Sequence, residues 1–443
     1  MKIHLVSLGC ARNLVDSEIM LAGFSLAGWE IVQEPSMAEV IVVNTCSFIE
    51  TAVEESIDTI LELAEYKKSD PRRKLVVAGC LPERYRQELA ESLPEVDLFL
   101  GTGTYEQIVT IIQNNLERES RPCILPDPDT REIGHESPRR TPTTFPAAYL
   151  KIAEGCSKHC TYCMIPRLRG RHRSRQTAHI LEEAGAFVAA GTRELVLVAQ
   201  DTTAYGNDLE PPAGLADLLA NLAAANPDTW IRFLYGHPES IQDSVLQTVA
   251  EHPNICSYFD IPIQHASDPV LKRMGRNYTR RDLIRLFDRI RKYVPDASLR
   301  TTVIVGFPGE TATDFKTLLD FIQEVRFDHL GAFTYSDAEE LPSYHLSRKV
   351  NPRTAAGRRE SIMTCQADIS LGINQRRIGR EYAVLIEGQS EEGVPFGRTV
   401  FQAPEVDGLT YVRSPFLSSG DIVQVTITDA QDYDLFGERT CAT

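Results

Sequence analysis

Three cysteines fall within eight residues of "EGCSKHCTYCMIP": Cys156, Cys160 and Cys163. They directly follow an apolar run, "YLKIA", that reads as a strand. Thiolates at this density are soft ligands suited to iron or zinc. A cubane iron–sulfur cluster is ordinarily held by four cysteines. Three thiols leave one iron open, by the same logic that keeps one position free on a catalytic zinc. S-adenosylmethionine can chelate that iron through its amine and carboxylate, so the missing thiol is the substrate's place. The competing reading is a structural zinc with His159 or a remote cysteine as fourth ligand. Zinc modules usually pair two C-x-x-C units, and no second pair exists here.

Three further cysteines repeat the theme over a longer range. Cys10 follows "KIHLVSL", Cys46 follows "VIVVN" and Cys80 follows "KLVVAG". Each run reads as a buried parallel strand. In a doubly wound sheet the carboxyl ends of the strands face one crevice, where ligands bind. The three thiols therefore converge, and the economical expectation is a second [4Fe–4S] cluster with an open iron. The alternative is three buried structural cysteines, since free cysteine is commonly buried. Cys123, Cys256, Cys365 and Cys441 show no ligand spacing and are assigned no role.

The elements that must position these thiols fall into segments. Residues 1–118 alternate strand and helix, with Ile49, Val53, Ile57, Ile60 and Ala64 marking one apolar helix face. Residues 119–147 carry six prolines and no sustained periodicity, and read as a linker. Residues 148–377 hold six strand candidates, "AYLKIAEG", "ELVLVAQ", "WIRFLYG", "YFDIPI", "LRTTVIVG" and "HLGAFTY", which predict a partial (βα) barrel with its site at the strands' carboxyl ends. Residues 378–443 turn β-rich, in "YAVLIEG", "LTYVRS" and "DIVQVTIT", and predict a small antiparallel barrel. The fold class is thus α/β: a doubly wound parallel sheet, a partial (βα) barrel and a small β-barrel. No apolar run approaches the roughly 18 residues of a membrane span. The chain reads as cytoplasmic. Its net charge of −16 and the barrel's eleven acids against four arginines, with no lysine, favour a basic protein partner over a phosphate backbone.

Weaker signals sit at the predicted strand ends. Gln200 and Asp201 in "VAQDTTAYG" either bond the methionine amine or ribose hydroxyls of the cofactor or form an Asx turn. Gly306 and Gly309 in "TTVIVGFPGET" either admit a ligand close to the backbone or make turns. Gln264 and His265 in "DIPIQHAS" end the fourth strand, His265 facing the cavity or held by structural hydrogen bonds. Five arginines from Arg167 to Arg175 either neutralise a cofactor or substrate carboxylate or form a solvated face.

Two thiol triplets in one chain resemble the radical S-adenosylmethionine methylthiotransferases, and the resemblance spans nearly all of it. "SLGCARNLVDSE", "NTCSFIETAVEES", "VAQDTTAYG" and "DIPIQHAS" are similar to the branch that methylthiolates an aspartate of small-subunit ribosomal protein twelve. The resemblance implies a methylthiotransferase domain, a radical core and a TRAM barrel. It implies two [4Fe–4S] clusters: that of Cys156, Cys160 and Cys163 cleaves S-adenosylmethionine, and that of Cys10, Cys46 and Cys80 holds or delivers sulfur. It places Tyr162 near the adenine, the hydrogen abstraction at the aspartate β-carbon, and a flavodoxin- or ferredoxin-like protein as electron donor. Arg12 stands where these relatives carry lysine, and "SDAEELPSYHL" replaces a shorter loop at 336–346. One rival is a tRNA methylthiotransferase, whose barrel would be basic. The other is a non-catalytic iron–sulfur electron carrier, which would favour four-thiolate clusters. The barrel is expected to be separable, so that loss of 380–443 spares cofactor cleavage.

Overall fold

The structure, a computed structural model, describes residues 1–115, 122–130, 142–143, 145–414 and 416–440. Cys441 and part of the expected linker lie outside them. By compactness the chain divides into two units. One comprises Met1–Thr143, Lys151–Lys158 and Cys163–Gln176; the other comprises Thr144–Leu150, His159–Tyr162 and Thr177–Thr443.

The first unit runs β1 (Lys2–Ser7), α1 (Ala11–Leu26), β2 (Glu30–Ile31), β3 (Val40–Thr45), α2 (Glu50–Ser69), β4 (Lys74–Gly79), α3 (Cys80–Ser92), β5 (Leu98–Leu100), α4 (Ile108–Asn115) and β6 (Cys123–Ile124). Its sheet is parallel, in the order β2-β1-β3-β4-β5-β6. Strand side chains alternate between faces. Ile41, Val43, Leu75, Val77 and Phe99 pack under α2 and α3. Val40, Val42, Val76, Ala78 and Leu98 pack under α1 and α4. The sheet is doubly wound, as the apolar runs predict. The expected linker departs from prediction at once: Cys123–Ile124 pairs with β5 as the edge strand.

The chain continues through β7 (Ala147–Lys151), β8 (Ala153–Glu154), α5 (Ile165–Arg169) and β9 (Arg173–Ser174), β8 and β9 forming an antiparallel pair in the first unit. In the second unit follow α6 (Thr177–Ala189), β10 (Glu194–Val198), α7 (Leu215–Ala225), β11 (Trp230–Phe233), α8 (Asp243–Glu251), β12 (Tyr258–Asp260), α9 (Asp268–Arg273), α10 (Arg280–Tyr293), β13 (Ser298–Val305), α11 (Ala312–Val325), β14 (His329–Thr334) and α12 (Pro352–Gln375). Capping boxes start α10 at Thr279 with Asp282 and α11 at Thr311 with Asp314. The six strands form two three-stranded sheets, β11-β10-β7 and β12-β13-β14, so the (βα) barrel is partial.

The last segment is a closed barrel of β15 (Glu381–Gln389), β16 (Pro395–Thr399), β17 (Thr410–Arg413), β18 (Ile422–Ala430) and β19 (Leu435–Arg439). Four pairings are antiparallel, and a parallel β17–β19 pairing completes the ring. The sequence runs identify β15, β17 and β18. They miss "PFGRT" and "LFGER", short strands that each carry a central glycine.

Buried charges join this barrel to the starts of the core strands. Glu194, first in β10, accepts from Arg232 Nε at 2.7 Å and from Arg398 Nη2 at 2.5 Å, and all three side chains are fully buried. Arg232 also donates to the Val400 carbonyl at 2.9 Å. Asp407 accepts from the Tyr258 hydroxyl at 2.6 Å and lies 3.5 Å from Arg300, which itself pairs with Asp260 at 2.9 Å. Loss of 380–443 would take Arg398 from Glu194, the Val400 carbonyl from Arg232 and Asp407 from Arg300. The expectation of a separable barrel is therefore replaced by one of a shared interior. Removing one partner of a buried ion pair costs about 3–5 kcal/mol. Arg398→Met should lower the unfolding free energy of the chain by about that amount. Chemical denaturation should show core and barrel losing stability together; a barrel that melts alone while the core is unaffected would refute the coupling.

Candidate functional site

The strand-end cysteines come together in the first unit. Cys10 caps α1, Cys80 opens α3, and Cys46 precedes α2. Neighbouring β1 and β3 send their helices to opposite faces, so Cys10 and Cys46 flank the topological switch point, where such sheets bind ligands. Gly9 has φ +91, and a β-carbon there would lie 2.6 Å from that of Cys46. Only glycine leaves β1 by this path. Cys10 and Cys46 both act electrostatically on Cys80, and Cys10 acts on Cys46. Burial pushes the Cys80 thiol up to about 11. It pushes Cys46 up as well. Burial also opposes ionisation of Cys10, but Arg12 and Arg169 outweigh it and hold that thiol below its ordinary value. The N-termini of α1 and α3 add partial positive charge at two of the thiols. Among the described residues, no three His, Cys, Asp or Glu side chains stand together as ligands of a single ion. A cubane instead sets each thiolate on a separate iron.

A buried ionic group supports these thiols. Arg169, only 4% exposed, donates from Nη1 to Asp16 at 2.6 Å and from Nη2 to the Asn13 side-chain oxygen at 3.1 Å. Nη2 also lies 3.5 Å from the Cys80 sulfur. Lys151 donates to Asp16 at 2.5 Å, to Glu154 at 2.8 Å and to the Tyr105 hydroxyl at 3.0 Å. The arginine run thus divides by face. Arg167 and Arg171 are exposed, Arg171 beside Asp129 at 3.4 Å, while Arg175 donates to the Lys151 carbonyl at 2.7 Å. Sequence reasoning missed Asp16, Lys151 and Glu154. The readable signal was the polar stripe Asn13, Asp16, Ser17 beginning three residues after Cys10.

The loop of Cys156, Cys160 and Cys163 is anchored within each unit separately. In the first, the Cys156 N–H donates to the Gly170 carbonyl at 3.0 Å. In the second, Thr161 is gripped three times. Its N–H donates to Met274 O at 3.0 Å, its hydroxyl to Arg273 O at 2.8 Å, and its carbonyl accepts from Ser343 N–H at 3.0 Å. The departing loop at 336–346 therefore helps to hold the cysteine loop in place. Gly275, at φ +74, passes where a β-carbon would lie 2.7 Å from the His159 carbonyl.

Tyr162 packs edge-on against Phe307 at 6.3 Å. Its hydroxyl accepts from Arg276 Nε at 3.0 Å and Nη2 at 2.5 Å, and Arg276 also meets His237. Neither Arg276 nor His237 was singled out from the sequence. Asp201 is buried after β10. One carboxylate oxygen accepts from Thr203 at 2.6 Å, and the other has no partner among the described residues. Gln200 precedes it, half-buried. Gly306, at φ +79, donates its N–H to Glu310, and its α-carbon faces Ala355. His265 is buried; its Nδ1 accepts from Ser267 N–H at 2.9 Å, and its Nε2 lies 3.7 Å from Glu310. Gln264 and Tyr235 adopt left-handed backbone angles at adjacent strand ends, φ +67 and +61. Such strain in non-glycine residues clusters at functional sites.

Comparison with known proteins agrees with this layout. Residues 2–101 match an uncharacterized protein family, UPF0004, residues 150–322 the radical SAM superfamily, and residues 378–439 the TRAM domain. A radical S-adenosylmethionine methyltransferase, TsrM, from Kitasatospora setae shares the fold at TM-score 0.60 and 14% identity, covering 77% of each chain. Proteins named "Ribosomal protein uS12 methylthiotransferase RimO" align almost end to end. The one from Desulfosudis oleivorans is 53% identical over 99% of this chain and 100% of its own length. Those from Citrifermentans bemidjiense and Clostridioides difficile are 47% and 46% identical, each over 99% of this chain and 98% of their own. The chain belongs to the RimO family of radical S-adenosylmethionine methylthiotransferases.

Proposed function

We propose that this enzyme adds a methylthio group to the β-carbon of an aspartate in ribosomal protein uS12, using two [4Fe–4S] clusters and S-adenosylmethionine. The observation that carries the reading is the meeting of Cys10, Cys46 and Cys80 beside a buried guanidinium. Three thiolates with a cation and two helix N-termini suit an anionic cluster, and three structural cysteines would need none of these. Cys156, Cys160 and Cys163 are assigned the second cluster on their spacing. The clusters and S-adenosylmethionine, when bound, supply the radical and the sulfur chemistry. The chain's residues position and shield them. Arg276 orients Tyr162 against the cofactor's adenine, and Asp201 offers its open oxygen to the cofactor's amine or ribose. Gln200 and Gly306 flank the same strand ends.

The substrate side rests on the barrel. An open groove of about 810 Å³ is lined by Tyr411 and Phe436, whose rings stack at 5.4 Å, and by Glu391 and Glu392. Both glutamates are exposed, and Arg413 at the same groove pairs with Glu438 at 3.3 Å. This surface favours a basic protein over tRNA, whose phosphates call for clustered cations. We assign the protein to the cytoplasm, with a flavodoxin- or ferredoxin-like reductant. Among the described residues no helix is long and apolar enough to cross a membrane.

Anaerobic reconstitution should give about eight irons in the parent chain and about four after Cys156, Cys160 and Cys163 are all changed to alanine, with loss of S-adenosylmethionine cleavage. Full iron in that variant would refute the ligand assignment. The matching change of Cys10, Cys46 and Cys80 should keep cleavage and abolish methylthiolation. Arg276→Met should raise the Kd for S-adenosylmethionine by about tenfold, the scale of one lost hydrogen bond to a charged group. Equilibrium dialysis measures it, and an unchanged Kd would remove Arg276 from the site. Glu391→Lys with Glu392→Lys should slow association with uS12 more at low salt than at high salt. Mass spectrometry of uS12 and of bulk tRNA treated with one preparation decides the substrate: modified tRNA beside untouched uS12 would overturn the reading.

A further inference from the structure

The four buried charges behind the strand-end cysteines are arithmetically balanced. Asp16 and Glu154 oppose Lys151 and Arg169 at 3–4% exposure each. Lys151 spends its donors on Asp16, Glu154 and Tyr105. Arg169 is different, because one face of its guanidinium meets a carboxylate and the other meets Asn13 and the Cys80 sulfur. Asn13 is itself fixed by donating to the Leu8 carbonyl at 2.6 Å, so it cannot swing away to release the guanidinium. The cation is locked against the Cys80 sulfur.

A three-thiolate [4Fe–4S] centre carries one net negative charge when its core is 2+ and gains a second on one-electron reduction. Buried away from water, that second charge is costly unless a fixed cation faces it. We propose that Arg169 is a positioning residue of the N-terminal cluster site, which sets how readily that centre accepts an electron by holding a positive charge at Cys80. The proposal rests on the assignment of Cys10, Cys46 and Cys80 as cluster ligands. Asp16 modulates the effect, because it draws part of the guanidinium's field away from the sulfur. Two substitutions should therefore act with opposite signs. Removing the cation should make the centre harder to reduce, and removing the competing carboxylate should make it easier.

The test uses the full chain with Cys156, Cys160 and Cys163 changed to alanine, so that only the N-terminal site can load. Iron and sulfide are supplied anaerobically, iron is counted, and the midpoint potential is found by redox titration followed by electron paramagnetic resonance. With iron loaded to the parent's level, Arg169→Met should lower the potential, Arg169→Lys should lower it less, and Asp16→Asn should raise it. If Arg169→Met fails to fold, the lysine and asparagine variants still give the two opposite signs. A potential unmoved by Arg169→Lys and Asp16→Asn in iron-loaded protein overturns the role of Arg169 and leaves the cluster assignment standing. Failure of the parent to bind iron overturns the assignment itself, and the proposal with it.

Discussion

A charge taken out of water must meet its opposite, and this chain places such charges where its parts have to agree. Asp16 on α1, Lys151 ending β7, Glu154 in β8 and Arg169 ending α5 come from segments up to 153 residues apart, yet they form one buried group. An uncompensated member would be strongly destabilising. Lys151, Glu154 and Arg169, all in the first unit, are thereby tied to α1. Cys10 caps that helix, so the same constraint that orders these residues orders the first thiol triplet.

Strand polarity does the rest. Parallel strands deliver every carboxyl end to one edge, and cysteines placed just past β1, β3 and β4 meet without any dedicated loop. Helices α1 and α3 begin at two of those cysteines, so the geometry that gathers the thiols also directs amide dipoles at them. In the second unit the same rule brings Asp201, Tyr235 and Gln264 to the carboxyl ends of β10, β11 and β12.

The thiols, the sheet and the three architectural segments were legible because each carries a local pattern: fixed spacing, apolar runs and strand–helix alternation. Cys123 was assigned to a linker because a two-residue edge strand has no periodicity to read. Strands β16 and β19 escaped because Gly397 and Gly437 interrupt their apolar runs, even though close backbone approach requires them there. Arg169 was visible as one of five arginines, but no sequence rule separates the one that turns inward from those that stay in water. Arg276, His237 and the Glu194–Arg398 pair were invisible for a related reason. Their significance lies in partners distant along the chain, and charge alone reads as surface.

The barrel's attachment constrains how this architecture can be recombined. Arg398 and Asp407 belong to the barrel by sequence but complete ion pairs and hydrogen bonds belonging to β10, β12 and β13. A barrel transplanted from a relative with another substrate would have to bring an arginine and an aspartate to those two positions, whatever its outer face recognises. The exposed rim of the barrel is thus free to drift in sequence while the inner seam stays fixed. A chimaera that ignores the seam would fail by misfolding before its specificity could be assayed.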